Sequence, residues 1–182
     1  SGLYGRQIVI ALAEAGAKVY TASRNLKANE EVADSIKSKG LDVIAAELDQ
    51  GDEVSVLALR NDILKDNKKI HSLVNNAVAR TMKQRFRDTV ESFKESMKIN
   101  ASGLFIMTRA FGDHMAETGG GSIINIGSYM GILGPDDTLY KGTDMDKGFS
   151  PDYFFHKGGM ANFTRLTAAV YGPQNVRCNV LN

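Results

Sequence analysis

Two periods of apolar and polar positions alternate along this chain. In "RQIVIALAEAGA" the apolar residues recur at helical spacing and stop at Gly16, a residue suited to the left-handed turn that closes a helix. "KVYTAS" is a short run rich in β-branched and aromatic residues and predicts a strand. Residues 25–39 are polar with Leu26, Val32 and Ile36 recurring on one side, the pattern of a surface helix that ends at Gly40. "LDVIAAELD" predicts a second strand, residues 52–66 a helix, and "IHSLVNNA" a third strand running into a loop. Residues 88–117 contain few helix breakers and read as one long helical stretch. "GGGSIINIGS" then predicts a glycine turn and a buried strand, residues 153–171 a helix closed by "YGP", and "VRCNVL" the last strand.

Strands and helices that alternate over short connections predict an α/β fold, a doubly wound parallel sheet of the Rossmann-like kind with helices on both faces, three layers in all. One domain covering 1–182 accounts for the whole pattern, with no composition break to suggest a second. Five strands are expected here. The opening "SGLYGRQ" reads as the middle of a glycine-rich turn, and "VRCNVLN" as a strand with nothing after it, so a first strand and a C-terminal substrate region are expected to be missing. In such sheets ligands bind outside the carboxyl ends of the strands. The irregular stretch is 129–152, which holds Pro135, Pro151 and four glycines; a loop of that length in a compact domain is often functional.

Composition narrows the function. Twenty-two basic side chains against twenty-one acidic ones leave a net charge of +1, which gives no field for gripping a polyanion, so nucleic acid is not an expected partner. No apolar run approaches the roughly 18 residues of a membrane span, and no membrane association is expected. The single cysteine, Cys178, has no Cys or His neighbours at metal-ligand spacing; it reads as a core residue, and no metal site is expected. A cytoplasmic location follows as the default.

Five places carry candidate chemistry. "SGLYG" precedes an amphipathic helix, where glycines would let the backbone approach a pyrophosphate at the helix N-terminus. At the end of the next strand stand Ser23 and Arg24, with no carboxylate until Glu30 along the chain. A cation there favours a ribose 2′-phosphate over a 2′-hydroxyl, so the reading leans to NADP, with NAD as the alternative. Tyr153 and Lys157 stand four apart and share a helix face. A free phenol is a poor base at neutral pH, and a nearby ammonium favours the phenolate. Tyr4, Tyr20, Tyr129, Tyr140 and Tyr171 are followed four residues on by Ile8, Arg24, Leu133, Asp144 and Asn175, so Tyr153 alone has this lysine. Ser128 falls just past the carboxyl end of a buried strand, where a hydroxyl could donate to a substrate carbonyl. Asn100 lies in "KINASG", inside the long helical stretch.

Together these stretches resemble the short-chain dehydrogenase/reductase family in its shorter single-domain branch. The resemblance rests on "SGLYGRQIVIALAEAGAKV", "LD" at 48–49, "NNAV" at 75–78, "KINASGLF" at 98–105, "GSIINIGS" at 121–128, "YFFHK" at 153–157 and "GPQNVRCNVLN" at 172–182. It implies that Tyr153 is the acid/base at the substrate oxygen, that Lys157 binds the nicotinamide ribose and activates the tyrosine, that Ser128 holds the substrate carbonyl, and that Asn100 supports a water relaying protons to Lys157. Gly2, Leu3 and Gly5 would lie at the pyrophosphate, Ser23 and Arg24 at the adenosine ribose or its phosphate, Asp49 at the adenine edge, and Asn76 with Ala77 on the adenosine side; Tyr153 and Lys157 would also touch the cofactor. The implied activity is hydride transfer between NADP(H) or NAD(H) and an alcohol/carbonyl substrate. The helices at 88–117 and 153–171 correspond to those that pair subunits in the family, which implies a homotetramer or homodimer.

Several features depart from the family pattern. The glycines of "SGLYG" are three apart instead of the commoner two, and Val78 stands where glycine is usual. The segment between Ser128 and Tyr153 is longer than usual and carries Asp136, Asp137, Tyr140, Lys141 and Asp144, which would hang over the substrate end. A similar loop, with a stretch like the "YKGT" of this chain, occurs in bacterial members linked to sugar and flagellin-glycan metabolism, which suggests a polyhydroxylated, sugar-like substrate. The alternatives are a dinucleotide-binding sensor or scaffold that has lost chemistry, and a sugar epimerase or dehydratase of the extended branch.

Overall fold

The computed structural model describes residues 4–143, 145–146 and 148–182. In chain order the elements are α1 (Gly5–Glu14), β1 (Val19–Ser23), α2 (Leu26–Lys37), β2 (Val43–Glu47), α3 (Glu53–Asp66), β3 (Ser72–Asn75), α4 (Val90–Met97), α5 (Gly103–Glu117), β4 (Gly121–Ile126), α6 (Pro151–Tyr171) and β5 (Val176–Leu181).

Local chemistry explains most boundaries. α1 runs out into Gly16, whose φ of +88° costs a glycine little. The side chains of Asn25, Asp52 and Thr89 accept hydrogen bonds from the first-turn N–H groups of α2, α3 and α4. α6 starts two residues earlier than the pattern predicts, because Pro151 occupies its first turn, where the missing N–H costs nothing. The stretch 88–117 is not one helix. A π-helical turn, Lys98–Ser102, separates α4 from α5, and such turns interrupt helices most often at functional sites. Gly103 follows directly, and a Cβ there would lie 2.7 Å from the backbone oxygen of Gln50. The widened turn and the glycine together let the helix pass against the loop after β2.

All strand pairing is parallel, as alternation predicts. The five strands divide into two sheets, however: β1 pairs with β2, and β3–β4–β5 form a separate ladder. A cleft of about 740 Å³ opens between β1–β2 and α3, and its lining includes Tyr20, Ala46, Leu59 and Ile63. One apolar core joins α3 and α5 to β3–β4–β5 through Val56, Phe111, Met115, Ile123 and Val176; a second joins α1 and α2 to β1–β2 through Ala33, Ile36 and Val43. Burial of this apolar surface is the main stabilising term. Cys178 is buried in the first core, as expected of a strand residue.

A polar seam crosses that core. Asn75 Nδ2 donates to Asn125 Oδ1 at 2.8 Å, and Asn125 Nδ2 donates to Thr164 Oγ1 at 2.9 Å. Asn125 is fully buried, so pairing of this kind is what makes its burial tolerable. The seam ties β3 to β4 and β4 to α6 near the carboxyl ends of the strands. Among the described residues no helix is long and apolar enough to cross a membrane, and no cluster of three or more His, Cys, Asp or Glu could hold a metal ion.

Candidate active site

The carboxyl end of β4, the loop after β3 and the first turns of α6 meet at one place. Lys157 is buried, and its Nζ donates to the backbone oxygen of Ile126, the last residue of β4. One helical turn earlier, the ring of Tyr153 has its centroid 5.8 Å from that Nζ. Two residues beyond Ile126, the Ser128 side chain caps a short turn, its Oγ accepting from Met130 N at 3.2 Å, while the Ser128 N–H donates to Asn182 Oδ1 at 3.2 Å. The same turn abuts α6 at Gly131, where a Cβ would lie 2.6 Å from the Lys157 carbonyl oxygen. Three of the four expected catalytic residues are thus drawn to one end of β4.

The fourth is Asn100, at the centre of the π turn and only 4% exposed. Its amide clamps one residue: Oδ1 accepts from Ala79 N and Nδ2 donates to Ala79 O, both at 2.8 Å, and Nδ2 also donates to Ser96 Oγ at 3.0 Å. Both amide hydrogens are therefore committed to protein partners. Asn100 fixes the loop that follows β3.

Burial and neighbouring charge shape the electrostatics. Desolvation, with a smaller push from the Arg80 guanidinium, lowers the Lys157 ammonium to about 8. Burial, then the charges of Lys157 and Arg80, lowers His156 to about 4, and neither ring nitrogen of His156 has a hydrogen-bond partner among the described residues. The His156 ring meets the Tyr153 ring edge-on, with centroids 5.3 Å apart. Arg80, exposed on the loop after β3, sets its guanidinium 5.1 Å from the Tyr153 ring centroid, a cation–π arrangement.

On the cofactor side, Gly5 opens α1, whereas Gly2 and Leu3 lie outside the described residues. Among the described residues the first turn of α1 has no side-chain cap, unlike those of α2, α3 and α4. Its free N–H groups and positive dipole end suit a pyrophosphate. Ser23 ends β1, and Arg24 and Asp49 both line the cleft between β1–β2 and α3. Asp49 Oδ1 already accepts from Gly51 N at 2.9 Å. Asn76 and Ala77 follow β3 directly.

Sequence reasoning missed several residues here. Glu47, on β2, is the direct register partner of Ser23, so a carboxylate stands beside the candidate cofactor-selecting position although none is near it along the chain. Arg80, Ser96 and Asp152 were also missed. The one available signal was adjacency, Asp152 preceding Tyr153 and Arg80 following "NNAV".

The long loop between Ser128 and α6 is fastened by aromatic rings. Tyr129 and Tyr140 meet through their hydroxyls, Tyr140 stacks edge-on with Phe149 at 5.0 Å, and Phe149 with Phe154 of α6 at 5.7 Å. Asp136 caps a short turn through Thr138, and Asp137, Tyr140 and Lys141 are in or beside that turn; Asp144 lies outside the described residues.

Comparison with known proteins places these observations. The family model for short chain dehydrogenases matches residues 1–182. A 7alpha-hydroxysteroid dehydrogenase of Paraclostridium sordellii is 29% identical over 97% of this chain and 63% of its own. A protein of Rhizobium meliloti named as a probable galactose dehydrogenase is 30% identical over 70% of this chain and 45% of its own. The crystal structure of a protein described as a short-chain dehydrogenase/reductase from Burkholderia xenovorans superposes with a TM-score of 0.85 at 27% identity, covering 97% of this chain and 65% of the other. The chain spans less than two thirds of the length of each. With its parallel α/β architecture and a family match over its whole length, the chain belongs to the short-chain dehydrogenase family.

Proposed function

We propose that this chain forms the catalytic part of an oxidoreductase that moves a hydride between a nicotinamide dinucleotide and an alcohol/carbonyl substrate. The observation that carries the reading is the buried Lys157 ammonium, fixed on Ile126 at the end of β4, one helical turn from Tyr153 and against the turn that begins at Ser128. A buried ammonium is costly unless function or pairing repays it. Here it lies 5.8 Å from the centroid of the Tyr153 ring, at the strand end where α/β sheets bind ligands.

In this reading Tyr153 exchanges the proton of the substrate oxygen and Ser128 donates a hydrogen bond to that oxygen. Lys157 supplies positive charge beside the phenol and binds the nicotinamide ribose. Asn100 holds the Ala79 segment and supports a proton-relaying water. Gly2, Leu3 and Gly5, with the open first turn of α1, take the pyrophosphate; Asp49, Asn76 and Ala77 bound the adenosine. The bound nicotinamide supplies the hydride acceptor or donor. The family likeness and the uncapped α1 support these assignments.

NADP is the proposed cofactor, through Arg24. Glu47 beside Ser23 favours a second reading, NAD, because a carboxylate there can accept a hydrogen bond from the ribose 2′-hydroxyl. The aromatic-fastened loop 129–152 supports a bulky, sugar-like substrate. Exposed Phe105, Phe155, Leu166 and Val170 on α5 and α6 support a homo-oligomer built on those helices.

The test is a turnover assay on the whole protein with both dinucleotides against a panel of secondary alcohols, sugars and their carbonyl forms, with Lys157→Met as control. Turnover with at least one substrate, lost in the variant, is the expected result. Cofactor binding without turnover across the panel would point to a sensor instead.

A further inference from the structure

Asp152 is 2% exposed and immediately precedes Tyr153. A buried carboxylate needs strong partners, and among the described residues this one has a single neutral one, Ser96, whose Oγ donates to Asp152 Oδ2. Asp152 Oδ1 has no partner among the described residues. Ser96, on α4, is completely buried and accepts in turn from Asn100 Nδ2. Asn100 grips both backbone groups of Ala79. The chain Asp152–Ser96–Asn100–Ala79 therefore joins the first turn of α6, the end of α4, the π turn and the loop after β3. A second tie runs beside it, from Ser150 Oγ to Met82 O at 3.3 Å. Ala79, Arg80, Ser150, Asp152 and Tyr153 together line one small void of about 10 Å³.

No ordinary packing requirement asks for a carboxylate here, since apolar residues of similar volume fill such sites at less cost. We infer that Asp152 is a positioning residue, which through Ser96 and Asn100 sets the Tyr153 ring against the segment bearing Ala79 and Arg80. The inference rests on the proposed role of Tyr153. The hydrogen-bond chain, running from the Asp152 carboxylate to the backbone of Ala79, fixes the height and rotation of the first turn of α6. Arg80 then meets the Tyr153 ring at a defined face, 5.1 Å from its centroid. Loss of one member slackens all four segments at once.

The experiment uses the whole protein carrying Ser96→Ala, Asp152→Ala, both together, and Asp152→Asn. Asn retains an acceptor for the Ser96 hydroxyl and keeps the shape. Each alanine variant is expected to lower kcat about tenfold or more with KM changed by less than about twofold, as misplacement of a reacting group does. The double variant is expected to be no worse than either single one, because all three break the same chain. Asp152→Asn is expected to keep most of kcat. Amide hydrogen exchange at Ala79 is expected to quicken in both alanine variants while Ile123 in the core stays protected. Unchanged kcat, additive losses, or an Ala79 amide as slow as in the parent would overturn the inference. Loss of kcat only in proportion to unfolded protein would do the same. Tyr153→Phe serves as a separate control: if it turns over as the parent does, the proposed acid falls, while the exchange measurement still decides whether the chain holds Ala79.

Discussion

Gly131 sits on the backbone of Lys157 so closely that a Cβ at 131 would lie 2.6 Å from the Lys157 carbonyl oxygen and 3.0 Å from the next amide nitrogen. The turn that starts at Ser128 is therefore seated directly on α6, and the side chain of the same Lys157 returns to Ile126 at the strand end. A lone glycine thus governs the spacing between the candidate hydroxyl and the candidate ammonium.

Gly131→Ala tests this contact. Two backbones must separate to admit the methyl group, so a destabilisation of about 1–3 kcal/mol is expected, with a drop of several degrees in Tm. Turnover should fall further than the unfolded fraction explains, because Ser128 moves with the turn. Calorimetry and kcat measured on the same preparation check both parts, and a variant as stable and active as the parent would show that the turn is not tightly seated.

His156 gives a pH signature. Burial lowers it from an ordinary 6.5 to about 4. Between those values the unfolded chain binds a proton that the folded chain refuses, so stability rises with pH across the window and is lost as pH falls through it, by about 3 kcal/mol at full extent. His156→Phe removes the titrating group, keeps a ring beside Tyr153 and leaves no hydrogen bond unmade. The variant should show a flatter decline of denaturant midpoint from pH 6.5 to 4 than the parent. Parallel declines would show that His156 is solvated.

Cofactor choice separates Arg24 from Glu47. If a 2′-phosphate is read by Arg24, Arg24→Ala should lower kcat/KM with NADP about tenfold or more, a typical loss for a charge-assisted contact, and leave NAD little changed. Glu47→Gln should then improve NADP use by removing a like charge. The opposite pattern, in which Glu47→Gln harms NAD and Arg24→Ala harms neither, would assign the site to NAD.

The sequence made the alternation of elements legible because strand and helix periods differ and because Gly16 and Gly40 mark helix ends chemically. Tyr153, Lys157 and Ser128 were legible for a related reason, since their spacing and order along the chain are themselves the signal. Relationships across the fold were not. Glu47 lies beside Ser23 only through strand register, and Asp152 meets Ser96 only because α4 and α6 pack together. The π turn at Lys98–Ser102 was hidden inside a stretch whose residue types all tolerate a helix. The separation of β1–β2 from β3–β4–β5 had no trace in apolar periodicity, which reports which face is buried and not which edge is paired.

The most direct measurement is a single-turnover experiment on Tyr153→Phe, following nicotinamide absorbance after mixing cofactor-loaded protein with a competent substrate, alongside calorimetric titration of the cofactor. The account predicts that cofactor affinity stays within about threefold of the parent while the rate of hydride transfer falls by about a hundredfold or more, the scale of a lost general acid. A variant that transfers hydride as fast as the parent would contradict it.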